Sequence, residues 1–474
     1  MRGSCAVPSF SPGTARNPIW RNSPVMTHRS QSRLTACPLR LVVIVLLFAS
    51  IASAEWKEKV LYSFQGGVDA GSVPAGGVVF DKHGNLYVAT TGGGPKTCEP
   101  FSYECGAVYE LSPPATKGDP WTATLIKMFA GEGSKDASVP SGGLIIDDEG
   151  NLYGVSGYGG TGNCVLFGLA GCGTVYELSP PAQKGGAWTE TILYSFPTAK
   201  QGYLPQGNLV FDSAGNLYGA TEFGGGHGTT CDPYYKYCGA VFELSPPKTK
   251  GGKWTEKVLH GFRSGMDGAN PNGGLVLDSK GRIYGTTFGG GNEGGECGAG
   301  GCGTVFALEP PTQKGRSWIE KQLHVFSGGK DSRLPSAGVI SDSNGNLYGT
   351  TLGTLFRLSL AKNSDMWTED ILYAFSGDAY DPEGALIFDA NANLYGTTNV
   401  GSGQSLQGSV FQLKPPNQNG YPWTFRVLHG FLGPPDGEFP AASLIFDKAG
   451  NLYSTTQGGG KASCSCGTVF EVSR

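Results

Sequence analysis

The 474-residue sequence predicts an all-β fold, a seven-bladed β-propeller of four-stranded antiparallel blades, from three observations. One pattern recurs seven times, beginning at Asp81, Asp147, Asp212, Asp278, Asp342, Asp389 and Asp447. Each copy offers four runs of strand length, rich in Val, Leu, Thr, Phe and Tyr and bounded by Gly, Pro, Asn or Asp. The chain also holds 77 Gly and 30 Pro with no period of three, a composition of short strands and many turns, since Gly alone usually makes up only ~7% of a protein. No helix is expected after residue 54. Seven units lie within the four to eight blades such rings use, and the units are longer than those of most solenoids, which also carry polar caps absent here.

One unit, written from Trp254, gives the elements in order. "WTEKVLHGF" is followed by a crossover loop to Pro271, then by "GGLVLD", the turn "SKGR", "IYGTTFGG", a Cys-bearing loop and "GTVFALEPP". The run "GGLVLD" is short and built on small residues, which suits the crowded strand beside a central channel. The Trp-bearing run is then the outer strand, and its Trp is Trp56, Trp121, Trp188, Trp254, Trp318, Trp367 or Trp423. Because residues from Trp56 onward begin with an outer-type run and the chain ends in a "GTVF" run, residues 56–64 are expected to pair with 468–472 and close the ring.

The turn that opens each copy, "DSNGN" at Asp342, looks at first like a calcium loop, which alternates acidic and amide oxygens. The copies argue against a metal: Arg282 replaces the second Asn in the fourth unit, and an Arg ligates no cation. A strand-joining turn capped by the Asp carboxylate accounts for the pattern. Ala392, in place of the Gly in the sixth unit, is expected to mark a somewhat different turn. A second acidic series, Asp69, Asp136, Asp267, Asp331, Asp378 and Asp436, precedes the crossover Pro by four or five residues, with Gln201 in the third unit. Asx capping is expected here too.

With these motifs the chain resembles the GloVer tandem repeat family, also called the Gloeo_Verruco repeat, whose signature "P-x-x-G-L-x-x-D-x-x-G-N-L-Y-G-T-T" precedes "G-T-V-F-x-L". Residues 205–244 and 271–308 carry it well, and the likeness covers essentially all of 56–474. The resemblance implies a propeller-like, secreted or cell-surface bacterial protein and brings no catalytic residues with it. The Asp-x-x-Gly-Asn turn is similar to that of NHL-type propellers.

Residues 1–54 contain six Arg, no Lys and no acid, and end in the apolar run "LVVIVLLFASIASA". This reads as a leader and secretory signal ending in a small-x-small triplet, with Met26 an alternative start. The run is too short for a membrane span of ~20 residues. "LTAC" at Leu34 to Cys37 mimics a lipoprotein box but precedes the apolar run, so it is set aside. The remaining domain, 55–474, keeps 29 of the 35 basic residues against 39 acids, a formal charge of −10. Such a surface repels phosphate backbones, so nucleic acid is excluded as a partner. No later run is long enough to cross a bilayer, and a monomer is expected.

Ten cysteines follow the leader in five close pairs: Cys98 and Cys105, Cys164 and Cys172, Cys231 and Cys238, Cys297 and Cys302, Cys464 and Cys466. In an exported chain they read as local disulfides. Closing a loop of about eight residues stabilises by roughly 2.5 kcal/mol on chain-entropy grounds. Cys464 and Cys466, one residue apart, would form a strained bridge.

His260, His324 and His429 share one register of the outer strand, where other units have Tyr62, Lys127, Tyr194 and Tyr373, and are expected to be exposed. No His-Glu-x-x-His, Gly-x-Ser-x-Gly or phosphate loop is present, and "GAGGCG" at Gly298 has no helix after it to bind a nucleotide. No cofactor and no metal site are expected. The residue after each crossover Pro breaks the repeat symmetry: Ala75, Ser141, Gln206, Asn272, Ser336, Glu383 and Ala441. Gln206, Asn208, Asn272 and Glu383 are therefore the candidate ligand-binding groups at the channel mouth. The expected function is a binding or interaction module for a glycan or another surface polymer or protein. A propeller enzyme of lactonase or lyase type and a passive envelope protein are the other classes considered.

Overall fold

The computed structural model describes residues 55–474 apart from 68–69, 95–104, 117, 132–134, 167–168, 184, 226–237, 250, 314, 376–380, 402–406, 419 and 462. Seven antiparallel sheets follow one another along the chain, each built on four strands in succession, and the first and second gain a short fifth strand from their crossovers, Gly71–Pro74 and Ala137–Pro140. The fourth shows the plan: Val276–Leu277 is innermost, followed by Ile283–Thr287, Thr304–Glu309 and the outer strand Ile319–Val325. The seventh blade takes Ile445–Phe446, Leu452–Thr456 and Thr468–Ser473 from the end of the chain and Lys57–Ser63 from its beginning. Lys57 pairs with Ser473 and Ser63 with Thr468, so the ring closes as the repeat phase predicts. Among the described residues two single-turn 3₁₀ helices, Gly265–Asp267 and Gly295–Cys297, depart from the expectation of no helix; both sit in loops, where Gly permits a tight turn.

A single blade cannot bury its own faces, and the core lies between blades. At the junction of the third and fourth blades, Tyr218, Val241 and Phe262 of one pack against Leu275, Ile283 and Phe306 of the next. Phe262 and Phe306 meet edge to face at 5.1 Å, and Phe326 and Phe356 repeat the contact at 5.3 Å one junction later. The outer Trp lies across the same junctions: Trp188 meets the ring of Tyr87 at 5.6 Å, and Trp318 that of Tyr218 at 6.4 Å.

A β-bulge recurs where each third strand meets its outer strand. Phe242 pairs with Val258 and Val241 with His260, which leaves Leu259 unpaired and buried. The extra residue re-aims the side chains after it.

The recurring turn is held by its Asp, as expected. Asp342 Oδ1 accepts the N–H of Asn346 at 2.9 Å, and Oδ2 accepts the Asn346 amide at 2.7 Å and the Tyr348 hydroxyl at 3.2 Å. In the fourth unit the Arg282 guanidinium Nε donates to Asp278 in place of the amide, at 2.7 Å. Arg can stand there because the position needs a donor. Ala392 overturns its expectation: its N–H reaches Asp389 O at 3.1 Å, as Gly345 reaches Asp342 at 3.0 Å, and it accepts φ +60° to keep the same turn.

Candidate functional site

Each crossover ends in a residue, a Pro and a third residue at the inner end of a blade. The residue before the Pro takes a left-handed conformation in all seven units: Val73, Val139, Leu204, Asn270, Leu334, Asp381 and Phe439 have φ between 53° and 63°. For a β-branched Val this is strained backbone. What holds it is the neighbouring blade, because each of these N–H groups donates to a carbonyl there, at 2.7 to 3.2 Å. Five of the seven acceptors are Cys466, Cys105, Cys172, Cys238 and Cys302, the second member of each cysteine pair. The Cys-bearing loops are thereby tied to the channel mouth.

The residues after the Pro surround a cavity of about 340 Å³ on the ring axis. Gly142 shows why the inner segment is built on small residues: a Cβ there would collide with the Gly207 carbonyl of the next blade. All four sequence candidates, Gln206, Asn208, Asn272 and Glu383, line this one cavity, together with Phe288 and Gln457. Their roles differ. Asn208 Oδ1 accepts the Gly143 N–H at 2.8 Å, tying two blades together. Gln206 donates its amide to Glu222, and Glu383 accepts from the Asn399 amide at 3.2 Å. Asn272 Oδ1 and Asn399 Oδ1 are buried without a hydrogen-bond partner. Ser336 is used by the ring itself, donating to Pro382 O at 3.2 Å.

Three carboxyl groups give the mouth its electrostatics. Burial pushes Glu383 up to about 7, with the nearby Asp381 charge adding and the Asn399 hydrogen bond opposing. Burial also raises Asp381 and Glu222, against a hydrogen bond from Asn399 and from Gln206 respectively. Glu222, Asp381 and Asn399 escaped the sequence reading. Glu222 and Asn399 lie four residues after the recurring Tyr, in a register filled elsewhere by Thr91, Gly157, Phe288, Leu352 and Gln457. That variation was a readable signal.

A second polar arrangement lies between outer strands. The register of His260, His324 and His429 is not exposed: their side chains retain only 18%, 20% and 20% of their surface. Each meets the acid of its own crossover loop, Asp267 at 3.1 Å, Asp331 at 3.3 Å and Asp436 at 3.2 Å. The expected capping holds for two of these acids, Asp331 accepting the Ser327 N–H at 2.9 Å and Asp436 the Leu432 N–H at 3.1 Å, whereas Asp267 Oδ2 is buried without a hydrogen-bond partner. Asp69 and Asp378 lie outside the described residues. A Glu from the next blade completes each group, because Glu58, Glu190, Glu256, Glu320 and Glu369 all stand two residues after a Trp. Lys127 bridges Asp136 and Glu190, and the Tyr194 hydroxyl reaches Glu256 at 3.3 Å. Burial raises each of these five Glu to about 7.

Disulfides join Cys164 to Cys172, Cys297 to Cys302 and Cys464 to Cys466. Cys105 and Cys238 are disulfide-bonded as well, while their expected partners Cys98 and Cys231 lie outside the described residues. No helix among the described residues is long and apolar enough to cross a membrane.

The profile of the Gloeobacter/Verrucomicrobia repeat matches residues 49–291 and 167–364. No curated protein matches the chain. Among solved structures, the extracellular domain of a hybrid two-component-system protein from B. thetaiotaomicron is similar at 14% identity and a TM-score of 0.46. The match covers 87% of this chain but only 40% of that one. A Trichoderma reesei carbohydrate-active enzyme of family AA12 is similar at 13% identity and a TM-score of 0.42, covering 89% and 96% of the two chains. A gluconolactonase from Xanthomonas campestris follows at 14% identity and 0.37, covering 73% and 87%. At such scores these likenesses bear on neither site nor activity.

Proposed function

The chain belongs to the Gloeobacter/Verrucomicrobia repeat family, and on that premise we propose that it is an exported monomeric binding module whose channel mouth takes a glycan or another polyhydroxylated surface polymer. The observation that carries this reading is the convergence of Gln206, Asn208, Asn272 and Glu383 on one cavity of about 340 Å³. Amide and carboxyl groups are the donors and acceptors that hydroxyls need. Asn272 Oδ1 and Asn399 Oδ1 stand unpartnered beside them. Phe288, and the half-exposed Val73 and Phe439 at the crossover ends, offer apolar faces for the C–H side of a sugar ring. Export is supported by the disulfides, which persist in oxidising compartments.

A glycan array probed with the full chain tests the reading. Binding to a defined class of glycans is expected, with at least a tenfold loss when Gln206, Asn272 and Glu383 are all changed to Ala, about 1.4 kcal/mol. Absence of glycan binding, or binding indifferent to the triple change, would overturn it.

The catalytic alternative has one observation in its favour. Glu383, held at about 7, retains a proton near neutral pH and could act as a general acid. Incubating array hits with the protein and looking for cleaved or rearranged products by mass spectrometry separates the two readings.

A further inference from the structure

We propose that two outer blade junctions are binding sites for a divalent cation of the zinc class: His324, Asp331 and Glu369 between the fourth and fifth blades, and His429, Asp436 and Glu58 between the sixth and seventh. In each set one imidazole nitrogen and two carboxylate oxygens lie within 4.8 Å of one another. At the first, His324 Nε2 is 3.3 Å from Asp331 Oδ1 and 3.8 Å from Glu369 Oε1. Three donors at such separations surround a point only slightly farther from each than the ~2.0–2.2 Å of zinc to nitrogen or carboxylate oxygen. Closing the remainder needs only small side-chain movements.

The donors are oriented from behind, as ligands in metal sites usually are. Asp331 Oδ2 is held by the Ser327 N–H and hydroxyl at 2.9 and 2.8 Å, which leaves Oδ1 to face the imidazole. Asp436 Oδ1 accepts the Gly437 N–H at 2.7 Å, and its Oδ2 faces His429. The imidazoles stand edge-on to Phe326 and Phe431, each at 4.8 Å, so the rings have a fixed orientation. Oε1 of Glu58 and of Glu369 is buried and has no hydrogen-bond partner.

An independent observation shows that this position takes a cation. At the junction of the first and second blades the same register holds Lys127, whose ammonium lies 3.1 Å from Asp136 and also contacts Glu190. Glu190 Oε1 is unpartnered too, but its other oxygen is held by that ammonium. The two-carboxylate cradle is thus filled from within at one junction. Where the shorter His replaces Lys, two carboxyl groups face one imidazole, and a bound cation would favour the charged form of both. A divalent ion would balance the two carboxylates, and a mixed nitrogen and oxygen set of three ligands suits a first-row transition ion with a position left for water. Solvent can reach the first site, because His324, Asp331 and Glu369 keep 20%, 19% and 14% of their side-chain surface. Among the described residues only these two sets converge, so the similar group around His260 is not included. The second site has a structural consequence: Glu58 lies on the strand that closes the ring, so an ion there would pin that strand to the sixth blade.

The test uses the full chain, stripped of metal with a chelator and then dialysed against Zn²⁺ alone, with bound metal measured by elemental analysis. Saturable uptake approaching two ions per chain is expected, together with a rise in melting temperature. His324→Lys and His429→Lys copy the Lys127 junction and so keep the fold, which circular dichroism checks. Each should remove one equivalent, and the double variant both, along with the thermal shift. Co²⁺ should show visible absorption in the wild type that the double variant lacks. Lack of saturable uptake by the folded wild type, or uptake unchanged in the folded double variant, would overturn the proposal. None of these outcomes depends on whether the channel mouth binds a glycan.

Discussion

The rings of Tyr373 and Phe425, on the outer strands of adjacent blades, lie parallel, 4.3 Å between centroids and 7° between planes. They occupy the register in which other junctions set Lys127 against Glu190, Tyr194 against Glu256, or His324 against Glu369. Six of the seven junctions are therefore matched pairwise, and at the remaining one these registers hold Tyr62 and Ala123. An apolar partner appears where the facing ring can stack, and a Glu where a hydroxyl, ammonium or imidazole faces it. Matching of this kind makes the seven near-identical blades distinguishable and favours assembly in one order.

Phe425→Ala should lower stability by about 2–3 kcal/mol, below the ~3–5 of a fully buried ring because Phe425 is half-buried. A double-mutant cycle with Tyr373→Ala should isolate a coupling of about 0.5–1.5 kcal/mol for the stacked pair. Urea melts of the four proteins measure both, and zero coupling would show that the stack is incidental.

Lys127→Met should destabilise the protein by about 1–3 kcal/mol at neutral pH, because Asp136 and Glu190 then share a half-buried site without their cation. The loss should shrink on acidification, as the two carboxyl groups take up protons. Denaturant melts of wild type and variant at neutral and mildly acidic pH supply the comparison.

Glu383 carries a pH signature. Its carboxyl titrates at about 7 in the folded chain against an ordinary 4.5. An acid with a raised value holds its proton more tightly folded than unfolded, so its contribution is fully present below the ordinary value. It is lost as pH rises through the folded one. Glu383→Gln should flatten the fall in melting temperature across that window, and an unchanged slope would refute the assignment. The five junction Glu shift the same way, so only the difference between variant and wild type is diagnostic.

Asp342→Ala should cost about 1–2 kcal/mol, the value of a lost side-chain cap. Calcium titration followed by calorimetry should be identical for the two proteins. Saturable calcium binding lost in the variant would restore the metal reading of the turn.

Much of this molecule was legible before folding was considered, because the repeat multiplies each local signal. Seven Asp turns, seven Trp strands and the displaced first strand all follow from short-range rules of turns and β-propensity. Comparing copies settled what one copy left open: Arg282 in the Asn register argued against a metal, and its hydrogen bond to Asp278 shows that the position needs a donor. The variable residue after each Pro pointed to the mouth, and the four candidates, Gln206, Asn272 and Glu383 with Asn208 two residues further along, do share a cavity. The residue before each Pro gave no warning of its left-handed backbone, since Pro makes that conformation less favourable, not more.

The histidines mark the boundary between the two sources of knowledge. Read along one strand, His260, His324 and His429 are polar residues on an edge, and an edge faces water. Their partners lie elsewhere: the acid is seven residues downstream on the crossover, and the Glu belongs to another blade, in the case of Glu58 at the other end of the chain. Composition, repeat phase and turn chemistry are local, and they settle the blade, the number of blades and the way the ring closes. Which side chains meet across a junction, and which of the mouth's amides are already engaged by the ring, depends on the packing of one blade against the next. That packing turns an exposed register into half-buried sites where unpaired charge is costly.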